Sequence, residues 1–165
     1  MGTRFTIDAA SHRTPGAARM GTMQYSVWID ATPARVWRTY ADPTRIPQWQ
    51  TGRPVIGDVR GVPGEPGSGY VSKRGPLTAR TAVVAATAPA RLVTRTDAYL
   101  GLQFQVSSQF TDRAGGTDLR LTAETQWPPG LRLLGRLLER VVLSGREANK
   151  ELLNLKELIE RESPS

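Results

Sequence analysis

Between Leu102 and Trp127 the chain alternates apolar and polar residues over two segments, and this pattern constrains the fold most. Successive side chains of a strand point to opposite faces, so one face of each predicted strand is apolar and the other polar. The apolar faces carry Leu102, Phe104, Val106, Ser108 and Phe110 in the first strand, and Leu119, Leu121, Ala123, Thr125 and Trp127 in the second. A turn with Gly115-Gly116 joins the predicted strands Leu102–Thr111 and Thr117–Trp127. The pattern predicts an antiparallel sheet that is covered on one side.

A long amphipathic helix is predicted after this hairpin, from Leu131 to about Arg161. Its apolar stripe consists of Leu131, Leu134, Leu138, Val141, Val142, Ala148, Leu152, Leu155 and Ile159. A helix of some thirty residues extends about 45 Å, which is enough to lie across a whole sheet. The helix therefore supplies the cover that the apolar face of the sheet needs.

The segment before the hairpin predicts a strand, two short helices and four further strands. Thr32-Pro33 predicts a helix start with the threonine hydroxyl as N-cap and proline in the first turn. The predicted strands are Gln24–Asp30, Val55–Arg60, Tyr70–Lys73, Thr78–Ala86 and Leu92–Ala98, and the short helices are Pro33–Ala41 and Thr44–Gln48. Gly61–Gly69, with four glycines flanking prolines, is predicted as a turn or loop.

These elements predict one α+β domain, since the chain shows neither an internal repeat nor a second region of different amino-acid composition. We place this domain at residues 22–162, an N-terminal arm or tail at 1–21 and a short tail at 163–165. Seven strands would form a curved antiparallel sheet around the long helix, with two short helices after the first strand.

The order of elements resembles the SRPBCC superfamily of helix-grip proteins. The resemblance is carried by Ile29–Trp37, by Ala41-Asp42-Pro43, by Pro47-Gln48-Trp49, by Gly115-Gly116-Thr117 and by the end of the terminal helix, Asn149 to Arg161. The superfamily includes START lipid-binding domains, birch-pollen-allergen-like proteins and bacterial polyketide cyclases. The layout of the later strands is most similar to the cyclase/aromatase branch, which implies an internal cavity for a flexible poly-keto chain. Because the superfamily holds carriers, sensors and enzymes, the resemblance implies the fold more strongly than the activity.

A sheet that curls around a helix leaves an apolar cavity where its side chains do not fill the space. Small residues on the predicted inner face, such as Ser108 and Ala123, either mark that space or make room for bulky neighbours. We expect ligand contacts from Tyr40, Trp49, Tyr70, Phe104, Val106, Ser108, Leu134, Leu138 and Val142. Tyr70 follows the glycine-rich segment, so it is expected at the mouth of the pocket. Trp49 contributes either to that mouth or only to packing.

Candidates for catalysis are few, because the chain has no cysteine and a single histidine, His12. Metal sites built on thiolates or histidines are excluded on that ground, and no cofactor or metal is expected. Arg95 and Asp97 share one face of a predicted strand. If that face points inward, Arg95 could polarise a carbonyl group and Asp97 could accept a proton; otherwise both are solvated or paired. Tyr70 is the third candidate for a catalytic role.

The net charge of +7 does not by itself indicate a nucleic-acid partner. Of 22 basic residues 19 are arginines, spread from Arg4 to Arg161 without a basic run, which is typical of a solvated surface. Arg132, Arg136 and Arg140 recur every four residues, as a solvated face or as a basic edge for a membrane or protein partner. No stretch approaches the roughly 18 apolar residues of a membrane span. We expect a cytoplasmic protein without stable membrane insertion.

The sequence thus predicts a protein that binds an apolar small molecule, such as a polyketide, lipid or aromatic compound. If the protein is an enzyme, we expect a polyketide cyclase, aromatase or dehydratase that uses no metal. A non-catalytic carrier or sensor, and a protein-interaction module that uses the basic helix, are the alternatives. The oligomeric state stays open.

Overall fold

The computed structural model of the chain describes residues 21–128 and 145–162. Several sequence-based expectations lie outside these ranges. They are residues 1–20 of the N-terminal arm or tail predicted at 1–21, the C-terminal tail, and the part of the predicted terminal helix before Gly145. That part of the helix contains the ligand candidates Leu134, Leu138 and Val142 and the basic edge Arg132, Arg136 and Arg140. In the described part of the chain no helix is long and apolar enough to cross a membrane.

The described residues form seven strands and three helices in the predicted order. The strands are β1 (Gly21–Ile29), β2 (Val55–Arg60), β3 (Gly69–Arg74), β4 (Leu77–Thr87), β5 (Arg91–Asp97), β6 (Gln103–Arg113) and β7 (Gly116–Gln126). The helices are α1 (Pro33–Ala41), α2 (Ile46–Trp49) and α3 (Gly145–Arg161). Two 3-10 turns accompany them, Pro43–Arg45 before α2 and Tyr99–Gly101 before β6, and the second was not predicted.

All seven strands belong to one antiparallel sheet in the order β1-β7-β6-β5-β4-β3-β2. The first strand closes on the last, from Gly21 opposite Thr125 to Ile29 opposite Thr117. The register shifts in two places, within β2 against β3 and within β4 against β5. Such bulges bend a strand and increase its twist, which lets the sheet curve. The predicted α+β helix-grip fold is confirmed.

The alternation in β6 and β7 separates the two faces of the sheet as predicted. Leu102, Ser108 and Phe110 are buried in or next to β6, whereas Gln105 is exposed. Leu119 of β7 is fully buried. The concave face is therefore the apolar one, and it faces α1 and α3.

Helix α3 packs its apolar side on this concave face through Leu152, Leu155, Leu158 and Ile159. Its last turn is tied to the corner between β1 and α1: Asp30 N donates to Glu160 Oε1 at 2.8 Å, and Arg35 Nη2 donates to the Ile159 carbonyl at 3.1 Å. Nearer its middle, Asn154 Nδ2 donates to the carbonyl of Trp49 at 3.0 Å. These bonds fix α3 relative to the short helices.

The two short helices close one end of the sheet. Helix α1 has the predicted bounds, but the Thr32 side chain makes no capping hydrogen bond; its carbonyl accepts from Arg35 N and Val36 N instead. The predicted second helix is a 3-10 turn that continues into α2. Asp42 caps that turn, because its Oδ1 accepts from Thr44 N at 2.9 Å.

Candidate functional site

A cavity of about 420 Å³ lies between the concave face of the sheet, the short helices and α3. A smaller cavity of about 140 Å³ adjoins it beneath the glycine-rich loop. Eight residues line both: Tyr40, Trp49, Gln50, Tyr70, Thr81, Thr96, Phe104 and Val106. The main cavity is bounded further by apolar groups of β6, β7 and α3, among them Leu121, Ala123 and Leu152.

Five of the ligand candidates, namely Tyr40, Trp49, Tyr70, Phe104 and Val106, thus lie together in the walls of both cavities. Ser108 lies one layer deeper, where it is 1% exposed and contacts Tyr40. Of the small inner residues, Ala123 and Thr125 line the main cavity. Phe104, Val106, Ala123 and Thr125 lie on the face that the alternation predicts, and ligand contact at all of these residues stays a prediction.

Tyr40 is held by aromatic neighbours on two sides. Its ring stacks on Trp49 at 5.7 Å between centroids and meets the edge of Phe110 at 5.4 Å. The Tyr40 hydroxyl and Ser108 Oγ are 2.8 Å apart, and either can donate. Burial raises the pKa of Tyr40 to about 12, so its phenol is neutral at physiological pH.

A second group of hydroxyls lies on β3, β4 and β5. Thr81 Oγ1 and Thr96 Oγ1 are 2.8 Å apart in the buried wall. Burial also raises the pKa of Tyr70, which a side-chain hydrogen bond with Thr81 partly offsets. The cavity is therefore an apolar space with two small clusters of neutral hydroxyls, a composition typical of small-molecule sites.

The glycine-rich loop closes the smaller cavity, which agrees with its expected place beside Tyr70. Pro63, Gly64, Ser68 and Gly69 line it. Gly64 has φ +82°, and a Cβ there would lie 3.1 Å from the Cβ of Ala41. The loop thus lies so close to the end of α1 that a larger residue at position 64 would displace the loop or the helix.

Trp49 ends α2 and is 6% exposed. Its backbone carbonyl is bound by Asn154, and its ring lies in the wall of both cavities. Within residues 21–128 and 145–162, the Trp49 indole Nε1 is the buried side-chain nitrogen or oxygen that lacks a hydrogen-bond partner. A buried donor without a partner costs about 1–3 kcal/mol of stability.

Arg95 and Asp97 do not reach the cavity. Both are exposed on β5, whereas Thr94, which precedes them, and Thr96, which lies between them, line the smaller cavity. Asp97 Oδ1 accepts from Gln103 Nε2 at 2.7 Å on the outer surface. The inward orientation that their catalytic role required is therefore not present, because the parity of β5 directs them to solvent.

Sequence reasoning missed Glu151, whose side chain lines the main cavity from α3 and is 20% exposed. Its Oε1 accepts from Thr51 N at 3.1 Å and lies 2.8 Å from Thr51 Oγ1. Burial raises the pKa of Glu151, against the lowering effects of Thr51 and Arg74. Its position directly before Leu152 of the apolar stripe was the available signal, because a neighbour of the stripe lies at the edge of the buried face.

This arrangement defines the class of protein: it is a helix-grip domain whose sheet and helices form an apolar cavity with a small set of polar groups in its wall. Among the described residues, no group of three or more histidine, cysteine or acidic side chains could hold a metal ion. The polar residues that line the main cavity are hydroxyl-bearing side chains, Gln50, Arg74 and the two carboxyl groups of Glu147 and Glu151.

Comparisons with known proteins agree with that class. The family model "Polyketide cyclase / dehydrase and lipid transport" matches residues 20–160, and the chain belongs to this family. A search of curated proteins found no match.

Solved structures share the fold at low sequence identity. Protein MLL2253 from Mesorhizobium loti is 16% identical with a TM-score of 0.66, over 87% of this chain and 100% of that one. The protein Ara h 8.0201 is 13% identical with a TM-score of 0.63, over 87% of this chain and 99% of that one. DynU16, a protein of the dynemicin biosynthetic locus, is 21% identical with a TM-score of 0.58, over 87% of this chain and 48% of that one.

Proposed function

We propose that the protein binds an apolar small molecule of polyketide, lipid or aromatic type in its main cavity. The observation that carries the proposal is the cavity of about 420 Å³ between sheet and helix. Pockets for drug-sized ligands measure roughly 300–1,000 Å³ and bury most of the ligand in apolar walls. Burial of apolar area supplies about 25 cal/mol per Å² to such binding, and the polar side chains of the wall orient the ligand.

Screening by native mass spectrometry and thermal shift against aromatic polyketides, fatty acids and sterols tests the proposal. Two variants of neighbouring residues on β6 make the test specific. Val106→Trp fills the cavity, because Val106 lines it, whereas Gln105→Trp adds the same ring to the exposed face. We expect binding to be lost in the first variant and kept in the second. Equal binding by both would place the ligand elsewhere and contradict the proposal.

A polyketide cyclase or aromatase activity is the second candidate, and the half-buried carboxyl group of Glu151 favours it. Acid–base chemistry on a poly-keto chain needs a proton donor or acceptor inside the cavity, and Glu151 lies in its wall. Mass spectrometry of a synthetic poly-β-ketone after incubation with the protein distinguishes the activities. Loss of water or ring closure indicates an enzyme, whereas binding without conversion indicates a carrier or sensor.

The cellular setting is part of the proposal. A protein of this family that delivers or converts an apolar compound is expected to work in the cytoplasm, without stable insertion into a membrane and without a nucleic-acid partner. Cell fractionation with detection of the native protein checks the location, and recovery in the membrane pellet would contradict it.

A further inference from the structure

The smaller cavity beneath the glycine-rich loop is a space that binding in the main cavity leaves unused. It measures about 140 Å³ and shares eight wall residues with the main cavity. Its own lining adds residues that do not line the main cavity, among them Ile46, Val83 and Leu92. These three are buried members of the hydrophobic core. Much of the wall of the smaller cavity is therefore apolar.

Most hydroxyl groups in this wall are already bonded within the protein. Ser68 Oγ donates to the carbonyl oxygen of Glu65 at 2.6 Å, and Thr81 Oγ1 and Thr96 Oγ1 are 2.8 Å apart. A buried water molecule needs roughly two to four polar partners, whereas an apolar cavity of about 150 Å³ stays dry and binds benzene. The smaller cavity has nearly that size, so it fits one aromatic ring or a short alkyl group.

The charged residue of the lining does not change this character. Arg60 is exposed on the edge strand β2 and pairs with Asp58 at 3.3 Å, so its charge is compensated at the surface. Thr94 adds one hydroxyl and Gln50 one amide group to the wall. A ligand group in the smaller cavity therefore gains mainly from apolar contact.

The two cavities are separated by side chains that contact both. Four of these are aromatic, namely Tyr40, Trp49, Tyr70 and Phe104. Tyr40, Tyr70 and Phe104 keep part of their surface uncovered. Burial nevertheless raises the pKa of both tyrosines, because their hydroxyls lie away from bulk water. The uncovered area therefore faces the cavities, and a ligand can contact these rings from either side.

Phe104 is the least restrained ring of this wall. Tyr40 stacks on Trp49, and Tyr70 forms a hydrogen bond with Thr81. No aromatic ring packs against Phe104 among the residues that the structure describes. Its side chain can turn aside with the loss of few specific contacts, which makes it the place where a short linker can pass from one cavity to the other.

We propose that the smaller cavity is a second compartment of the binding site, which takes one aromatic ring or short alkyl group attached to the body of the ligand in the main cavity. The link between body and arm passes Phe104. The inference rests on the proposed function and adds a ligand shape to it: an apolar body that carries a flexible arm of benzene size is preferred over a compact fused ring system.

A matched set of hydrocarbon probes tests this preference. Naphthalene is a body without an arm, and 2-benzylnaphthalene adds one ring through a flexible link. 1-Methylpyrene has as many carbon atoms as 2-benzylnaphthalene, but its rings are fused into one compact body. We expect isothermal titration calorimetry to show 2-benzylnaphthalene bound about tenfold to a hundredfold more tightly than naphthalene, the effect of burying one aromatic ring. 1-Methylpyrene should gain less.

Contacts in solution locate the two parts of the bound probe. Leu92 and Val83 line the smaller cavity alone, and Leu121 and Leu152 line the main cavity alone. In the complex with 2-benzylnaphthalene, the phenyl protons should give nuclear Overhauser effects to the methyl groups of Leu92 and Val83. The naphthyl protons should give them to Leu121 and Leu152. This measurement uses the unmodified protein.

Two variants assign the gain in affinity to the smaller cavity. Thr94→Phe fills it, because Thr94 lines the smaller cavity and not the main one. Gln105→Phe adds the same ring to the exposed face of the neighbouring strand. We expect Thr94→Phe to bind naphthalene as the wild type does and to lose the advantage of 2-benzylnaphthalene. Gln105→Phe should keep both.

The outcomes separate the two proposals. Naphthalene binding that Val106→Trp abolishes, together with no gain from the benzyl arm, overturns the second compartment and keeps the proposed function. Equal or tighter binding of 1-methylpyrene, or phenyl contacts confined to Leu121 and Leu152, also overturns the compartment alone. Failure of all three probes to bind overturns both proposals. The contacts in the wild type decide the question even if Thr94→Phe does not fold.

Discussion

At the scale of single residues, the cavity wall depends on hydroxyls that are bonded to one another. The Tyr40 hydroxyl and Ser108 Oγ are partners, and Ser108 lies behind the wall where no ligand or solvent reaches it easily. A buried hydroxyl that loses its partner costs more than the hydrogen bond itself contributed. The pair therefore holds the Tyr40 ring in place against Trp49 and Phe110.

We expect Tyr40→Phe to lower the free energy of unfolding by about 1–3 kcal/mol, because Ser108 Oγ is left buried without a partner. Adding Ser108→Ala should recover part of this loss, since no unpaired hydroxyl remains. Urea unfolding of the two single variants and the double variant measures the coupling. Strict additivity would show that the two hydroxyls do not interact.

Glu151 predicts a pH dependence of stability. Its pKa is raised in the folded protein, so the folded state binds its proton more tightly than the unfolded chain does. The stabilisation is complete below the unfolded pKa of about 4.3 and is lost as the pH rises through the folded pKa.

Glu151→Gln removes this titration and keeps the size of the side chain. Its melting temperature relative to the wild type should therefore rise between acidic and neutral pH. Scanning calorimetry across that range measures the difference, with Glu157→Gln as the exposed control on the same helix. A difference that stays constant or falls with pH would contradict the raised pKa.

The predictability of the site differed from residue to residue. Phe104, Val106 and Ser108 could be assigned to the inner face because β6 alternates strictly. Arg95 and Asp97 could not be placed, since Leu92 and Val93 are both apolar and both buried, at 3% and 5% exposure. The register shift between Val83 and Ala85 of β4 lies opposite this part of β5. Because this bulge belongs to the partner strand, the alternation of residues in β5 itself does not reveal it.

At the scale of elements, close contacts between β3 and β4 leave no room for a side chain at Gly69. A Cβ there would lie 2.6 Å from the Thr81 carbonyl oxygen, a backbone atom. Gly57 on the edge strand β2 is a matched control, because nothing lies within 4 Å of a Cβ at that position.

We expect Gly69→Ala to destabilise the protein by more than about 2 kcal/mol, because the strands must separate to admit the methyl group. Gly57→Ala should change the free energy of unfolding by less than about 0.5 kcal/mol. Chemical denaturation of both variants tests this. Equal stabilities would mean that the pairing of β3 with β4 is looser than the structure shows.

The elements themselves were more predictable than the contacts between them. The α1 bounds followed from Thr32-Pro33 and from the apolar face of Val36, Trp37 and Tyr40. The meeting of α3 with Thr51 and Arg74 could not be derived, because it depends on how the helix is rotated about its axis. That rotation is determined by long-range bonds such as that of Asn154 to Trp49, which no local pattern records.

At the scale of the whole molecule, the cavity makes stability depend on its occupant. A ligand that binds only the folded state adds about 2.7 kcal/mol at a concentration of one hundred times its Kd. For a domain of this size we expect a rise in melting temperature of about 5–10 °C. Differential scanning fluorimetry with a bound polyketide measures it, and the same shift in Val106→Trp would contradict an internal site.

The pairing of β1 with β7 has a consequence for how the chain is made. Proteins emerge from the ribosome with the N-terminal end first, and among the described strands β1 pairs with β7, the one that is synthesised last. During translation the apolar side chains of β1, namely Tyr25, Val27 and Ile29, therefore stay exposed to solvent until β7 has been synthesised. Nascent chains of this protein are expected to be clients of ribosome-associated chaperones.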